Sequence, residues 1–453
     1  MNIIIVGCGK VGQKITEILS REKEHDITVI DIRGQVVNEL ISQYDVMGLV
    51  GNGAGLDILL EAGIEDADIL IAVTGSDEIN LLTSLIAKKA GNCKTVARVR
   101  KPEYSRELTI FKEDLGLAMI INPEQAAADE IARVLRFPSA IQIDTFAKGR
   151  VEILKFRVPM DSSLNDLKIA DIRTALDADI LVCGVERGDE AFIPGGDFVI
   201  KSGDLVSIVS SIKSGNNFFK KIGVKTNRVK DTIIVGGGAT AYYLASKLLQ
   251  TGIDVKIIEQ DEKRCDELCT KLPKAVIING DGSDTRLLLE EGIETAESFV
   301  TLTNIDEENI LLSLFAKSEM ENGKIVTKIN RVAYDGVIDT LNLDTIVYPK
   351  DITAEHIVKF VRAKANSLDS NIEAIHFILD GKAEALEFRI KKDSPVLGKT
   401  IENLNLKENI LLACINRNGR IIIPRGKDFI EEMDTVIVVT THSGFEDIRD
   451  ILR

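Results

Sequence analysis

Ile3-Ile4-Ile5-Val6-Gly7-Cys8-Gly9-Lys10-Val11-Gly12-Gln13-Lys14-Ile15 decides the fold. Four apolar residues make a buried strand, three glycines at GxGxxG spacing follow at once, and Val11, Ile15, Ile18 and Leu19 then recur at helical intervals. The glycines serve three different physical ends. Gly7 permits the tight strand-to-helix turn, Gly9 lets backbone approach a pyrophosphate at the helix N-terminus, and Gly12 lets helix and strand pack closely. Asp31, at the end of the next apolar run, is placed to accept hydrogen bonds from ribose hydroxyls and to repel a 2′-phosphate. This predicts a dinucleotide site that favours NAD over NADP.

Outward from that stretch, apolar runs at 3–6, 27–30, 46–50, 69–73, 95–99 and 119–121 alternate with amphipathic segments. Strands that are nearly continuously apolar, separated by helices, imply a parallel sheet covered on both faces. The last helix opens at Asn122-Pro123-Glu124, with Asn as cap and Pro at the first helical position, and runs to about Leu135. Beyond it the pattern changes. A strand near 151–158, a short helix around 164–176, and close-set strands at 180–186, 191–194 and 205–210 describe a small α+β module, closed by a terminal helix at 217–222.

The whole arrangement then repeats. Gly236-Gly237-Gly238-Ala239-Thr240-Ala241 echoes the first glycine turn at an offset of 229, with Glu259 as its acid. The segment 51–64 lies over 280–293 with seven identities in fourteen, and Thr74, Asp77 and Asn80 pair with Thr303, Asp306 and Asn309. A period this long is duplication of a two-domain unit, not a solenoid. The expected fold is α/β: two doubly wound parallel-sheet (Rossmann-like) domains alternating with two small α+β domains, divided at 1–140, 141–224, 230–368 and 370–453.

Composition bounds the function. The 453 residues exceed what one hydrophobic core supports, and 45% hydrophobic with 28% charged residues describes an ordinary globular protein. A net charge of −15 repels nucleic acid and anionic lipid. The 18-residue segment from Lys213 to Lys230 carries six basic residues and no acid, and reads as a solvated linker with a terminal helix rather than a docking patch. No stretch approaches a membrane span or a leader peptide. The six cysteines are scattered without metal-ligand spacing, so no metal site is expected. None of the four histidines recurs in the other half, and no nucleophile elbow or HExxH is present. The reading is a domain that binds a nucleotide without transforming it, with no catalytic residue. The alternatives are an NAD-dependent oxidoreductase with tandem nucleotide domains and, more remotely, a nucleotide-triggered scaffold.

The glycine turn, the 50–53 turn Val-Gly-Asn-Gly, Ala72-Val73-Thr74-Gly75 with Asp77 and Asn80, Ala97-Arg98-Val99-Arg100 followed by Pro102-Glu103-Tyr104, and Ile121-Asn122-Pro123-Glu124 together resemble the TrkA family. These are regulatory subunits of bacterial and archaeal Trk potassium-uptake systems, built from RCK (or KTN) and RCK-C domains. The resemblance covers the duplicated order of the whole chain. It implies a peripheral protein at the cytoplasmic face of the membrane that binds NAD(H), with ATP or ADP at the same sites. It implies gating of a Trk-type potassium-translocating partner, with the membrane reached only through that partner. It places ligand contacts on Gly7, Cys8, Gly9, Lys10, Val11, Gly12, Asp31, Asn52, Gly53, Thr74, Gly75 and Arg98. Their second-half counterparts are Gly236, Gly237, Gly238, Ala239, Thr240, Glu259, Asp281, Thr303, Asn304 and Lys328. Arg98, at the carboxyl end of a strand, can fork onto a phosphate, whereas Lys328 offers a point charge. In that family the helices closing each nucleotide domain cross to neighbouring domains. The apolar faces Ile131, Val134, Leu135 and Ile357, Val358, Val361 therefore predict a homo-oligomer, a dimer or tetramer, with a ring of nucleotide domains.

Overall fold

The computed structural model describes residues 1–22, 25–91, 93–101, 104, 115–136, 141–146, 151–188, 190–222, 229–321, 323–330, 338, 341, 343–365, 372–379, 381–442, 444–445 and 447–453. The first half opens with β1 (Asn2–Val6), α1 (Lys10–Leu19), β2 (Asp26–Asp31), α2 (Gly34–Gln43), β3 (Met47–Val50), α3 (Leu56–Glu61), β4 (Ile69–Ala72), α4 (Asp77–Ala90), β5 (Lys94–Arg98), β6 (Leu117–Ile121) and α5 (Pro123–Arg136). Its six strands are parallel in the order β3-β2-β1-β4-β5-β6. The order reverses between β1 and β4, which opens a crevice at their carboxyl ends. β1 and β4 are buried on both faces, as their apolar runs require.

An antiparallel module follows: β7 (Gln142–Phe146), β8 (Val151–Arg157), α6 (Ile169–Leu176), β9 (Leu181–Arg187), β10 (Glu190–Phe192), β11 (Leu205–Ser211) and α7 (Ile212–Lys221). The sheet order is β10-β9-β11-β8-β7. β7, which the sequence pattern does not announce, pairs along its whole length with Val151 to Lys155 of β8. α7 starts five residues before the expected Asn217, because the Ser211 hydroxyl accepts the Ser214 N–H and caps it.

The second half repeats the first as β12 (Asp231–Val235), α8 (Ala239–Gln250), β13 (Asp254–Glu259), α9 (Glu262–Lys271), β14 (Val276–Asn279), α10 (Thr285–Glu290), β15 (Ser298–Thr301), α11 (Asp306–Glu319), β16 (Lys324–Lys328), β17 (Thr345–Val347) and α12 (Pro349–Ala365). Its antiparallel sheet comprises β18 (Ile372–Ile378), β19 (Ala383–Arg389), β20 (Ile410–Arg417), β21 (Arg420–Ile422) and β22 (Thr435–Thr440). A 3-10 turn at Ile401–Asn403 is the helical element described between β19 and β20, where the first module has an α-helix, α6, between β8 and β9.

The two halves exchange their closing helices. Ala128, Ile131, Val134 and Leu135 of α5 are buried against Ala241, Leu244, Ala245 and Leu248 of α8, in the second half. Ala354, Ile357, Val358 and Val361 of α12 are buried against Ile15 and Leu19 of α1, in the first. The apolar faces expected to meet a neighbouring molecule are therefore consumed within the chain. At ~1.5–3 kcal/mol per large buried aliphatic side chain, the three of α5 contribute up to about 5–9 kcal/mol. Asp129 and Lys247 form an ion pair across the α5–α8 seam, and the Asn122 amide donates to the Tyr243 hydroxyl at 3.1 Å. The antiparallel sheets also meet: Phe146, Ile153, Cys183 and Val209 share a core with Leu379, Ala385, Ala413 and Ile437. Leu379 lies so close over Gly184 that a Cβ there would sit 2.6 Å from it.

Candidate functional site

The glycine turn at the β1–α1 junction depends on its residues. Gly7 adopts φ +96°, where L side chains are strained, and an added Cβ would stand 2.7 Å from the Thr74 backbone. A Cβ on Gly12 would stand 2.0 Å from the Gly7 carbonyl oxygen. Gly236 repeats the φ at +97°, while Ala241 takes the third position and is fully buried. Gly9 and Gly238 have open space around them and are the N-caps of α1 and α8, with no side-chain cap on either helix. Two uncapped, positively polarised helix N-termini thus face the two crevices, as an anionic pyrophosphate requires.

The acids sit against their turns. Asp31 Oδ2 accepts the Cys8 N–H at 2.7 Å, and Glu259 Oε2 accepts the Gly237 N–H at 2.7 Å. Burial works to raise the Asp31 carboxyl, but hydrogen bonds from Arg33 and Cys8 outweigh it and hold it below the usual carboxylate range. Asn52 and Asp281 fold their own loops, accepting the N–H groups of Ala54 and Ser283 at 3.0 and 2.9 Å.

The far wall of each crevice is held by an asparagine outside the expected set of ligand contacts. Buried Asn80 accepts the Thr74 N–H and hydroxyl at 2.8 and 2.7 Å and donates to the Thr74 and Arg98 carbonyls at 3.3 and 2.8 Å. Asn309 repeats this with Thr303 at 2.9 and 2.9 Å, and with the Thr303 and Lys328 carbonyls at 3.1 and 3.0 Å. Asp77 and Asp306 add a second tie, accepting the Arg100 and Asn330 N–H groups at 2.9 Å. The recurrence of Thr, Asp and Asn at one offset was the signal for both.

Arg98 donates to the Thr74 carbonyl, while its Nε is buried without a partner. Burial lowers its pKa from the ordinary value, helped by Arg100 and opposed by Glu124 and Asp77. Lys328 donates to the Leu302 carbonyl at 3.0 Å and is likewise pushed down by burial, against Asp306 and Glu124. Glu124, in the first turn of α5, thus acts on a cation of each half.

Two cavities collect the predicted residues. One of about 570 Å³ is lined by Gly7, Gly9, Asp31, Asn52, Gly53, Thr74, Gly75 and Arg98. The other, about 1020 Å³, is lined by Gly236, Gly238, Ala239, Thr240, Glu259, Asp281, Thr303, Asn304 and Lys328, and it continues to Gly9, Lys10, Val11, Arg98, Arg100 and Glu124 of the first half. Cys8, Gly12 and Gly237 line neither cavity. The residues fit an adenine dinucleotide in each half: a turn for the pyrophosphate, an acid at the ribose end, and space for the bases. Among the described residues no cluster could hold a metal ion. In the basic segment, Lys221 pairs with Asp177 and Lys230 with Glu297; Lys225 and Arg228 lie outside the described residues.

Comparison with known proteins finds the same duplicated order. The TrkA-N domain family matches residues 3–123 and 232–349, and the TrkA-C domain family matches 153–223 and 385–453. The chain is 32% identical over 464 residues to the Trk system potassium uptake protein TrkA homolog 2 of Methanosarcina mazei, covering 100% of both chains. It is 31% identical over 445 residues to Trk system potassium uptake protein TrkA of Haemophilus influenzae, covering 97% of this chain and 95% of that one. In structure it is similar to the GsuK channel bound to NAD, with a TM-score of 0.62 and 18% identity over 97% of this chain and 76% of the other. These relatives are potassium-uptake proteins, not dehydrogenases, and the oxidoreductase alternative falls away.

Proposed function

We propose, from the premise that the chain belongs to the TrkA family of potassium-uptake proteins, that it is a peripheral cytoplasmic regulatory subunit. In this reading it binds NAD(H), and ATP or ADP at the same sites, and gates a Trk-type potassium-translocating membrane partner. The observation that carries it is the single cavity in which the glycine turn of the second half faces Gly9, Arg98 and Glu124 of the first. A ligand there has differential contacts with two bodies joined by exchanged helices, so its binding shifts their relative disposition. A channel of similar fold is described as bound to NAD, which supports the choice of ligand. The ligand contacts are the glycine turns, Asp31 and Glu259, the Thr74 and Thr303 loops, and Arg98 with Lys328.

The domains divide at 1–140, 141–224, 230–368 and 370–453, each nucleotide domain lending its last helix to the other. The reading includes a homo-oligomer, a dimer or tetramer, with a ring of nucleotide domains. With the closing helices occupied, the surfaces left for assembly are exposed apolar residues recurring in both halves at the repeat offset: Met47 and Val276, Leu60 and Leu289, Leu82 and Leu311. Calorimetry with NADH and ATP, light scattering, and potassium uptake by cells lacking the chain test this. The expectation is saturable nucleotide binding, an oligomer, and impaired growth at limiting potassium. Absence of the growth defect together with absence of binding would sink it.

A further inference from the structure

The ribose-end acid of the first half has no acceptor position to spare. Asp31 Oδ1 accepts the Arg33 N–H at 2.9 Å and Arg33 Nε–H at 3.1 Å, while Oδ2 accepts the Cys8 N–H at 2.7 Å and Arg33 Nη2–H at 3.3 Å. An ionised carboxylate offers about four acceptor positions, and these four bonds fill them. A ribose diol can therefore reach Asp31 only if the Arg33 side chain lets go. The Arg33 guanidinium keeps its other N–H donors for the crevice; its side chain is 57% exposed and lines the cavity beside Asn52 and Gly53.

The second half is built the other way. Glu259 accepts two described bonds, from the Gly237 N–H at 2.7 Å and the Asp261 N–H at 2.9 Å, and its remaining acceptor positions are free for a diol. Asp261 occupies the position of Arg33: each is the N-cap of the helix after the acid-bearing strand. Asp261 does what that position favours and accepts the Arg264 N–H at 3.1 Å. Arg33 cannot cap, so α2 has no side-chain cap and leaves its polarised N–H groups open. An arginine that forfeits a helix cap in order to cover the ribose acid has no helix-stability explanation.

We infer that the two halves read the adenosine 2′ position oppositely. The first takes a 2′-phosphorylated adenine dinucleotide, NADP(H), at least as well as NAD(H), through Arg33 and the uncapped start of α2. The second takes only the free diol, because Glu259 and Asp261 repel a phosphate there. The inference rests on the nucleotide-binding reading above and reverses, for the first half alone, the exclusion of 2′-phosphate that Asp31 by itself predicts.

Fluorescence or calorimetric titration of the full chain with NADPH and NADH tests it. Gly75 and Gly238 have open space around the Cβ position and each lines only one cavity, so Gly75→Asp and Gly238→Asp should fold and block one site each. The Gly238→Asp chain should bind NADPH at least as tightly as NADH. Adding Arg33→Ala should weaken NADPH about tenfold or more and leave NADH unchanged or tighter, since Asp31 is freed. The Gly75→Asp chain should favour NADH by about thirtyfold or more. A readout without blocked sites is stoichiometry: one tightly bound NADPH per unmodified chain, with that site weakened about tenfold or more by the exposed Arg33→Ala change. NADPH binding weaker than NADH in Gly238→Asp, or equal losses of both ligands with Arg33→Ala, would overturn the inference and leave nucleotide binding intact. Binding of neither dinucleotide to the unmodified chain would overturn the underlying reading too.

Discussion

Arg362, near the end of the second closing helix, grips Glu22, which follows the first helix of the chain 340 residues earlier. Its Nε–H donates to Glu22 Oε1 at 2.8 Å, and the same guanidinium stands 3.7 Å from Glu384 in β19 of the last module. One arginine thus ties a nucleotide domain to the antiparallel module of the other half. Burial works to raise the Glu22 carboxyl, but hydrogen bonding with His25 and the Arg362 charge outweigh it and hold it below its ordinary value. A depressed folded pKa means stability that is present above the unfolded value of about 4.5 and lost as pH falls through the folded one. Arg362→Ala should cost about 2–4 kcal/mol, because it strands two partly buried carboxylates. Denaturant titrations at pH 7 and pH 4 check this: the cost should shrink at the lower pH. A cost independent of pH would show that Arg362 acts by packing alone.

Asn80→Asp keeps the shape of the side chain but turns the amide that donates to the Thr74 and Arg98 carbonyls into an acceptor. With the group fully buried, stability should fall by about 2–4 kcal/mol and the Thr74 loop should lose its position at the crevice. Nucleotide affinity at the first site should drop about tenfold or more. Asn309→Asp should do the same at the second site. Calorimetry on both variants decides; loss of stability with unchanged affinity would show that the loop does not touch ligand.

Arg98→Ala should weaken ATP by about 1.5–3 kcal/mol, the worth of a charged hydrogen bond, and NAD less. Its Nε is buried without a partner beside the cavity, whereas Lys328 is turned onto the Leu302 carbonyl. Lys328→Ala should therefore change ATP affinity little. Equal ATP losses for the two variants would show the halves to be equivalent in phosphate recognition.

Five of the six cysteines are buried and Cys269 is exposed. Burial pushes the Cys8 thiol up to about 12, with Asp31 adding to the shift. Burial likewise pushes Cys414 up to about 12 and Cys93 up to about 11. Thiolates form and react only near these pH values, so iodoacetamide at pH 7.5 should add one adduct to the native chain, at Cys269, and six after unfolding. Early labelling of Cys8 would show that the glycine turn opens in solution.

The doubly wound order was legible because every local cue agreed: continuous apolar strands, a glycine turn at the first strand's end, and the Asn122 cap, whose side chain does accept the Gln125 N–H at 3.0 Å. What could not be read was partnership. The stripe Ile131, Val134, Leu135 announces burial, but an apolar face carries no address, and only the fold shows that α8 covers it. Asp31 is similar. Its placement follows from the motif, yet its filled acceptor positions come from Arg33, two residues on in a conformation no pattern specifies. Strand β7 escaped because Gln142–Phe146 is short and only half apolar.

The exchange of helices imposes an order on biogenesis. As the chain leaves the ribosome, α5 emerges more than a hundred residues before α8, the surface it must cover, and the first nucleotide domain stays unroofed until α12 appears near the end. At ~5–20 residues per second that gap lasts on the order of ten seconds, during which greasy surface of both elements is open to chaperones or to a second nascent chain. Neither half is therefore a complete folding unit, and coexpressed halves should recover solubility only by finding each other.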